Sequence, residues 1–238
     1  MDGLEIKDID VLILCGGLGS RLRPVLNGQP KAMARIGNRF FLDILIDYTA
    51  AFGFRRFILC IGYLGDLLKQ YYQSRKLPFE VVFSEEKALL GTAGALKNAR
   101  GCIRSSHFLV INGDSICRVD LKDFLGFHIC KNALISIVLT AISRDGKEYG
   151  VVRLGDFDRI SGFNEKPLKA KGNLVSAGIY LFQKEALGLI PLNKEYSLEK
   201  DLFPKVINKN FYGYITKEEV VDIGTPQRYR KAKERLSI

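Results

Sequence analysis

At 238 residues the chain is long enough to bury a sizeable core in one domain, or in one domain carrying a small lobe. Its 47% hydrophobic content is that of a globular protein, and the lack of low-complexity tracts or internal repeats excludes disordered, fibrous and solenoid classes. The net charge of +10, from 36 basic and 26 acidic residues spread along the chain, favours a basic pocket for small anionic substrates over nucleic-acid binding.

The first residues are partly acidic and lack the apolar stretch of a secretory signal. No apolar run approaches the roughly 20 residues of a membrane span. The expected protein is cytoplasmic, with no membrane partner. The apolar run 11–15 reads as a buried first strand. It meets Gly16, Gly17 and Gly19, then Arg21 and Arg23, with Pro30-Lys31 shortly after. Glycines let backbone approach a ligand where a β-carbon would clash. Consecutive N–H groups in such a turn can form an anion nest, and the cations beside it call for a polyphosphate. The alternative is a plain strand-to-helix turn. The string is neither a P-loop nor a dinucleotide fingerprint, whose last glycine position is Leu22 here.

Helical spacing over 41–52 follows, then a strand at 57–62, a helix at 64–73, a strand at 79–84, a small-residue helix at 92–99 and a strand at 108–112. A helix over 121–130 is expected to be capped by Asp120, and 135–141 is a further strand. This alternation predicts a three-layer α/β/α, Rossmann-like, mostly parallel mixed sheet. The second half changes character, with short β-like runs at 150–154, 160–165, 175–182 and 211–214, a helix at 198–205, a strand at 220–223 and a basic helix at 226–236. Residues from about 143 to 217 read as a small β-rich substrate lobe over the carboxyl ends of the parallel strands, where ligands of open α/β sheets bind. With no linker in view, residues 1–238 form one domain.

Asp114, in Asn112-Gly113-Asp114, reads either as part of an Asn-Gly hairpin turn or as a carboxylate in a crevice for Mg²⁺, which takes one or two carboxylates plus phosphate oxygens and water. Asp222, before Gly224-Thr225-Pro226, repeats the choice between cap and metal ligand. Pro167 forces an extended conformation at Lys166, and Glu165-Lys166 is either a solvated pair or a sugar-phosphate grip. Glu86 precedes Leu90-Gly91-Thr92-Ala93-Gly94, which is either a close-packed helix start or a loop admitting a flat base. The five cysteines (Cys15, Cys60, Cys102, Cys117 and Cys130) are odd in number, show no metal spacing and read as reduced, mainly core residues. His107 and His128 match no catalytic signature and read as structural.

Taken in order, these pieces resemble the sugar-1-phosphate nucleotidyltransferases over about residues 10–232. The glycine turn is similar to the family's G-G-x-G-[ST]-R-L with its downstream Pro-Lys, and residues 90–96 to its L-G-T-A-G-A-L. Asn112-Gly113-Asp114, Tyr149-Gly150-Val151-Val152, 163–167, 175–180, Ser197-Leu198-Glu199-Lys200-Asp201 and Asp222-Ile223-Gly224-Thr225-Pro226 resemble its further motifs. The resemblance implies the nucleotide-diphospho-sugar transferase fold and Mg²⁺ on Asp114 and Asp222. It implies a nucleotide held by Leu14, Gly16, Gly17, Gly19, Ser20 and Arg21, with Glu86, Gly91 and Thr92 by the base. Asn112, Gly150, Glu165, Gly178 and Glu199 would meet the sugar and Lys166 its phosphate. Arg21, Lys31, Lys166 and Asp114 would serve the reaction. Within the family the chain is similar to the D-glycero-D-manno-heptose 1-phosphate guanylyltransferases, which implies GTP as donor and GDP-heptose for surface glycans. Mannose 1-phosphate is the rival sugar, and a non-catalytic regulatory module the rival class. Cys15, Ser20 and Phe40 depart from the commoner Ala, Thr and Pro. Exposed apolar residues on the lobe could support a homodimer.

Overall fold

The computed structural model describes residues 5–141, 150–165 and 174–236. In chain order the described strands are β1 (Asp10–Leu14), β2 (Arg35–Ile36), β3 (Arg39–Phe40), β4 (Arg56–Ile61), β5 (Glu80–Glu85), β6 (His107–Asn112), β7 (Ser115–Cys117), β8 (Ile135–Ala141), β9 (Gly150–Leu154), β10 (Ile160–Glu165), β11 (Leu174–Gln183), β12 (Phe211–Thr216) and β13 (Val220–Asp222). The α-helices are α1 (Phe41–Ala51), α2 (Gly65–Gln73), α3 (Gly91–Asn98), α4 (Leu121–Cys130), α5 (Phe203–Val206) and α6 (Pro226–Leu236).

The apolar runs β5, β4, β1 and β6 lie side by side and parallel, with Leu14 opposite both Cys60 and Asn112. Side chains of a strand alternate faces, and each face is covered. Val11 and Ile13 enter a core with Phe41, Leu45, Leu68, Phe124 and Ala232, from α1, α2, α4 and α6. Leu12 enters the opposite core with Ala93, Leu96, Phe203 and Val206, from α3 and α5. Three layers result, as the apolar pattern predicts. Asp120 caps α4, accepting from the N–H groups of Lys122 and Asp123.

β11 runs antiparallel to β6, with Ile179 opposite Ile111, and carries the sheet onward to β8 and β9. β12 adds to β8 in parallel, and β10 pairs with β9. An isolated antiparallel bridge between Arg159 and Tyr212 draws the β9–β10 hairpin towards β12, so these strands curl round. Gly213 permits the curl, because a Cβ there would strike the Leu139 and Leu154 side chains. The strands expected in the lobe thus continue the central nine-stranded sheet instead of forming a separate one.

One helix expected over 198–205 is two pieces. Leu198–Leu202 is a π-turn in which the Leu202 N–H reaches back to the Ser197 carbonyl at 3.1 Å, and α5 begins at Phe203. Pro204 lacks the N–H that would continue an α-helical ladder through this point. All five cysteines are free thiols, as the composition suggests. The two histidines, distant in sequence, meet: His107 Nδ1 lies 3.2 Å from His128 Nε2, and His128 Nδ1 lies 2.8 Å from Ser136 Oγ. Among the described residues no helix is long and apolar enough to cross a membrane.

Candidate active site

The carboxyl ends of β1, β4, β5 and β6 share one edge of the sheet, and the segments leaving them form the site floor. The glycine turn leaves β1 with the Cys15 N–H donating to the Cys60 carbonyl at 2.9 Å. Each glycine has its own reason. A Cβ on Gly16 would lie 2.8 Å from Glu86 Oε1. Gly19 has φ +58°, a region strained for L side chains, and accepts at its carbonyl from the N–H groups of Leu22 and Arg23. A Cβ on Gly17 would meet no atom of the described residues within 4 Å, so among them that face of the turn is open space. The chain then enters a short 3₁₀ turn at Arg23–Val25, not a long helix.

Asn112-Gly113-Asp114 does not turn a hairpin between β6 and β7. The Gly113 N–H donates to the Leu14 carbonyl at 3.0 Å, where a Cβ would come within 2.6 Å of that oxygen. β7 pairs instead with β13, placing Ser115 opposite Asp222, and the Ile223 N–H donates to the Asp114 carbonyl at 3.0 Å. That pairing brings the two aspartates, distant in sequence, to neighbouring strand ends. Asp114 Oδ2 takes the Lys31 ammonium at 2.5 Å, and Asp222 Oδ1 accepts from the Gly224 N–H at 2.9 Å and from Arg228 at 3.3 Å.

Three hollows share Asp114 as a common wall. The first, about 240 Å³, is lined by Leu14, Gly17, Gly19, Ser20, Arg21 and Lys31, a cation-rich cradle under the glycine turn. The second, about 260 Å³, holds Leu14, Gly16, Gly17, Glu86, Gly91, Thr92 and Asn112, with Leu89 and Ala95 as apolar wall. The third, about 190 Å³, collects Arg21, Asn112, Gly150, Gly178, Glu199 and Asp222 with Ser115, Tyr180 and Arg228. Of the residues expected in the site, only two are not so placed. Glu165 ends β10 opposite Gly150 in the backbone pairing, and Lys166 lies outside the described residues.

Electrostatics separate the groups. Burial pushes the Glu86 carboxyl up, offset in part by the Leu90 N–H that its Oε2 accepts at 3.2 Å. Burial also pushes the Cys15 thiol up, and neighbouring Asp114 adds to it, so this sulfur stays an unreactive thiol in the wall. Asn112 Oδ1 is buried with no hydrogen-bond partner among the described residues, at the place where the second and third hollows meet. Such an acceptor is costly to leave unmade.

No cluster of three or more His, Cys, Asp and Glu side chains suited to a metal exists among the described residues. The donor set of Asp114 and Asp222 fits Mg²⁺ all the same, since that ion takes one or two carboxylates and fills its shell with phosphate oxygens and water.

Sequence reasoning missed Arg228, Tyr180 and Ser115. Arg228 sits in the first turn of a helix that reads as a solvated basic face. Its position six residues after Asp222, across a Gly-Thr-Pro turn, was the available signal. Tyr180 stands two residues after Gly178, on the same strand face.

Residues 10–237 match the model of the nucleotidyl transferase family. The chain is 34% identical over 229 residues to D-glycero-alpha-D-manno-heptose 1-phosphate guanylyltransferase of Aneurinibacillus thermoaerophilus, covering 96% of this chain and 98% of that protein. It is 30% identical to mannose-1-phosphate guanylyltransferase of Mycobacterium tuberculosis, covering 95% of this chain and 64% of that protein. Among solved structures, HddC from Yersinia pseudotuberculosis superposes with a TM-score of 0.83 at 33% identity, over 96% of this chain and 99% of that one. The same protein complexed with GMP-PN gives a TM-score of 0.81 at 32% identity, with the same coverage. The chain belongs to the nucleotidyl transferase family.

Proposed function

We propose that this nucleotidyl transferase moves a guanylyl group from GTP to a sugar 1-phosphate, with D-glycero-D-manno-heptose 1-phosphate as the preferred acceptor. The carrying observation is the set of three hollows meeting on Asp114. Base, triphosphate and sugar phosphate would each have a compartment, and the reacting phosphorus would sit where they join. The heptose choice is supported by the relative matched over nearly its whole length. Mannose 1-phosphate is the second reading, supported by the Mycobacterium protein.

Glu86 supports the choice of base. Guanine offers two neighbouring donors on its Watson–Crick edge, N1–H and the N2 amino group, and an ionised carboxylate accepts from both. Uracil and thymine offer one donor between acceptors, and adenine and cytosine one donor beside an acceptor. The apolar wall of Leu89 and Ala95 suits a flat ring.

In the reaction, an oxygen of the sugar phosphate forms a bond to the α-phosphorus, and the bond from that phosphorus to the pyrophosphate oxygen breaks in line. The leaving group carries off the electron pair. The acceptor phosphate is already anionic near neutral pH, its second ionisation lying near pH 6, so no general base is required. Backbone N–H groups of the glycine turn and the cations of Arg21 and Lys31 would stabilise charge on the triphosphate, and Lys166 would hold the sugar phosphate. This is catalysis by alignment and preorganised charge. Asp114 and Asp222 would hold Mg²⁺, which supplies Lewis-acid charge to the phosphate oxygens. Gly150, Gly178 and Glu199, with Glu165, would face the sugar hydroxyls.

The test is pyrophosphate release from a matrix of four nucleoside triphosphates against heptose, mannose and glucose 1-phosphates. The expected result is highest kcat/KM with GTP and heptose 1-phosphate. Preference for another base removes the Glu86 argument, and preference for mannose moves the assignment to the second reading. No release from any pair, by folded protein, replaces the enzyme with a non-catalytic module.

A further inference from the structure

We infer that the Thr92 hydroxyl is a positioning group for the sugar side of the site, acting through Glu199, and that it fastens α3 to the segment that presents that carboxylate. The inference rests on the sugar 1-phosphate reading above. Thr92 lies in the first turn of α3 and lines the second hollow, but its hydroxyl is turned to the far side of the cleft. It donates to Glu199 Oε2 at 3.0 Å and accepts from the Leu198 N–H at 2.8 Å. Ser197 Oγ donates to the same Oε2 at 2.9 Å, and the Tyr180 hydroxyl donates to Oε1 at 3.3 Å.

A carboxylate has about four acceptor positions. Three hydroxyls fill three of them, fixing the plane of the Glu199 carboxylate in the third hollow and leaving capacity on Oε1 for a sugar hydroxyl. The frame that holds Thr92 is rigid. The Ala93 and Gly94 N–H groups donate to the Tyr196 carbonyl at 2.9 and 3.0 Å, and the Tyr196 N–H donates to the Leu90 carbonyl at 2.8 Å. Gly91 and Gly94 permit that approach, since Cβ atoms there would lie 2.7 Å from Tyr196 O and 2.9 Å from Lys194 O. The element that walls the base compartment is therefore bolted to the segment that presents Glu199. A hydroxyl at position 92 serves both ends of the bolt, as donor to the acid and acceptor from the backbone.

The experiment uses the full chain and pyrophosphate release with GTP and whichever of heptose or mannose 1-phosphate it turns over better. Thr92→Val keeps the side-chain shape and removes both bonds. It is expected to raise the sugar-phosphate KM about tenfold, the loss of one hydrogen bond to a charged group. The GTP KM is expected to stay within about twofold, as both bonds that are lost run to Glu199 and Leu198 and none to the second hollow. Thr92→Ser restores the sugar-phosphate KM. In a Glu199→Ala background, Thr92→Val adds no further change, because the coupled partner is gone. Should Thr92→Val fail to fold, Ser197→Ala removes a second donor to the same oxygen without touching α3, and is expected to raise the same KM. An unchanged sugar-phosphate KM in the folded variants, or an equal rise for GTP, overturns the inference. A wild-type protein that turns over neither sugar phosphate instead overturns the proposed function on which it rests.

Discussion

Replacing Glu86 with Gln asks whether a carboxylate reads the base. The side chain lies in the second hollow against Gly16, half-buried, with Oε2 on the Leu90 N–H at 3.2 Å. Gln keeps the shape and one acceptor, but turns the other oxygen into a donor that faces a guanine donor. One charged hydrogen bond is worth about 1.5–3 kcal/mol, so the GTP KM is expected to rise by roughly 10–150-fold at about 1.4 kcal/mol per decade. The sugar-phosphate KM and the rate at saturating GTP are expected to hold. Burial raises the Glu86 carboxyl above its ordinary value. Guanine binding needs the ionised form, so GTP affinity falls as pH drops through that raised value, and the Gln variant loses this acidic arm. The sign for stability is opposite. A raised folded pKa favours the protonated fold, so the ionised form costs stability at neutral pH. The Gln variant is therefore expected to melt no lower than wild type near pH 7. Initial-rate pyrophosphate assays from pH 5 to 8, with a thermal melt, check all three. A GTP KM within about twofold of wild type, or one that keeps its pH dependence, refutes the assignment of Glu86 to the base, since a lost charged bond cannot cost so little.

Further outcomes follow from the geometry. Asp114→Asn and Asp222→Asn are each expected to reduce Mg²⁺-dependent pyrophosphate release by at least about 10²-fold with the melting curve preserved. Wild-type turnover in either removes it from the metal site. Gly17→Ala places a methyl in open space, so the fold is expected to persist while equilibrium dialysis shows weakened GTP binding. Gly91→Ala is expected to destabilise the protein by about 2 kcal/mol or more in urea titration, because φ is +70° and a Cβ would press on Tyr196 O at 2.7 Å. His128 is fully buried and held at a pKa of about 3, chiefly by burial with His107 adding to it. The unfolded chain takes up a proton near pH 6.5 and the fold does not, so stability declines as pH falls from there towards 3. His128→Leu is expected to lower stability overall and to flatten that decline in pH-dependent melts.

Much of the architecture was readable because it depends on local pattern. Near-continuous apolar runs give the parallel strands, and Asp120 gives a cap. Residues 226–236 give α6 end to end. What depends on distant pairing was not readable. Asn112-Gly113 has the chemistry of a tight hairpin, yet the Gly113 N–H is drawn to Leu14 and β7 is captured by β13, which comes from the far end of the chain. Nothing local in 150–216 says that β11 will lie against β6 and carry the other strands into the central sheet. The effect of Pro204 on the helix start before it is legible only once the Ser197 cap is known to hold the preceding turn. In the site, glycines and carboxylates were found because their motifs are short and ordered. Arg228 and Tyr180 were missed because a basic helix and a buried strand each explain them without a ligand. The Thr92 hydroxyl points away from the face its motif suggests, a matter of rotamer and partner.

The bond between Thr92 and Glu199 spans 107 residues, and the pairing of β7 with β13 closes a loop of similar length. Translation delivers the glycine turn and α3 first, and the segment that walls them only when most of the polypeptide has been made. Contacts of such sequence separation form slowly, after the entropy of closing a long loop has been met. A nascent chain released after α4 carries the lining of the first two hollows, Gly224 excepted, but not the Tyr196–Leu198 segment to which α3 is hydrogen-bonded. The frame that fixes α3 therefore arises near the end of synthesis, and until then Ala93, Ala95 and Leu96, which pack with Tyr196 and Leu198 in the finished fold, are exposed surface that the cell must keep from aggregating.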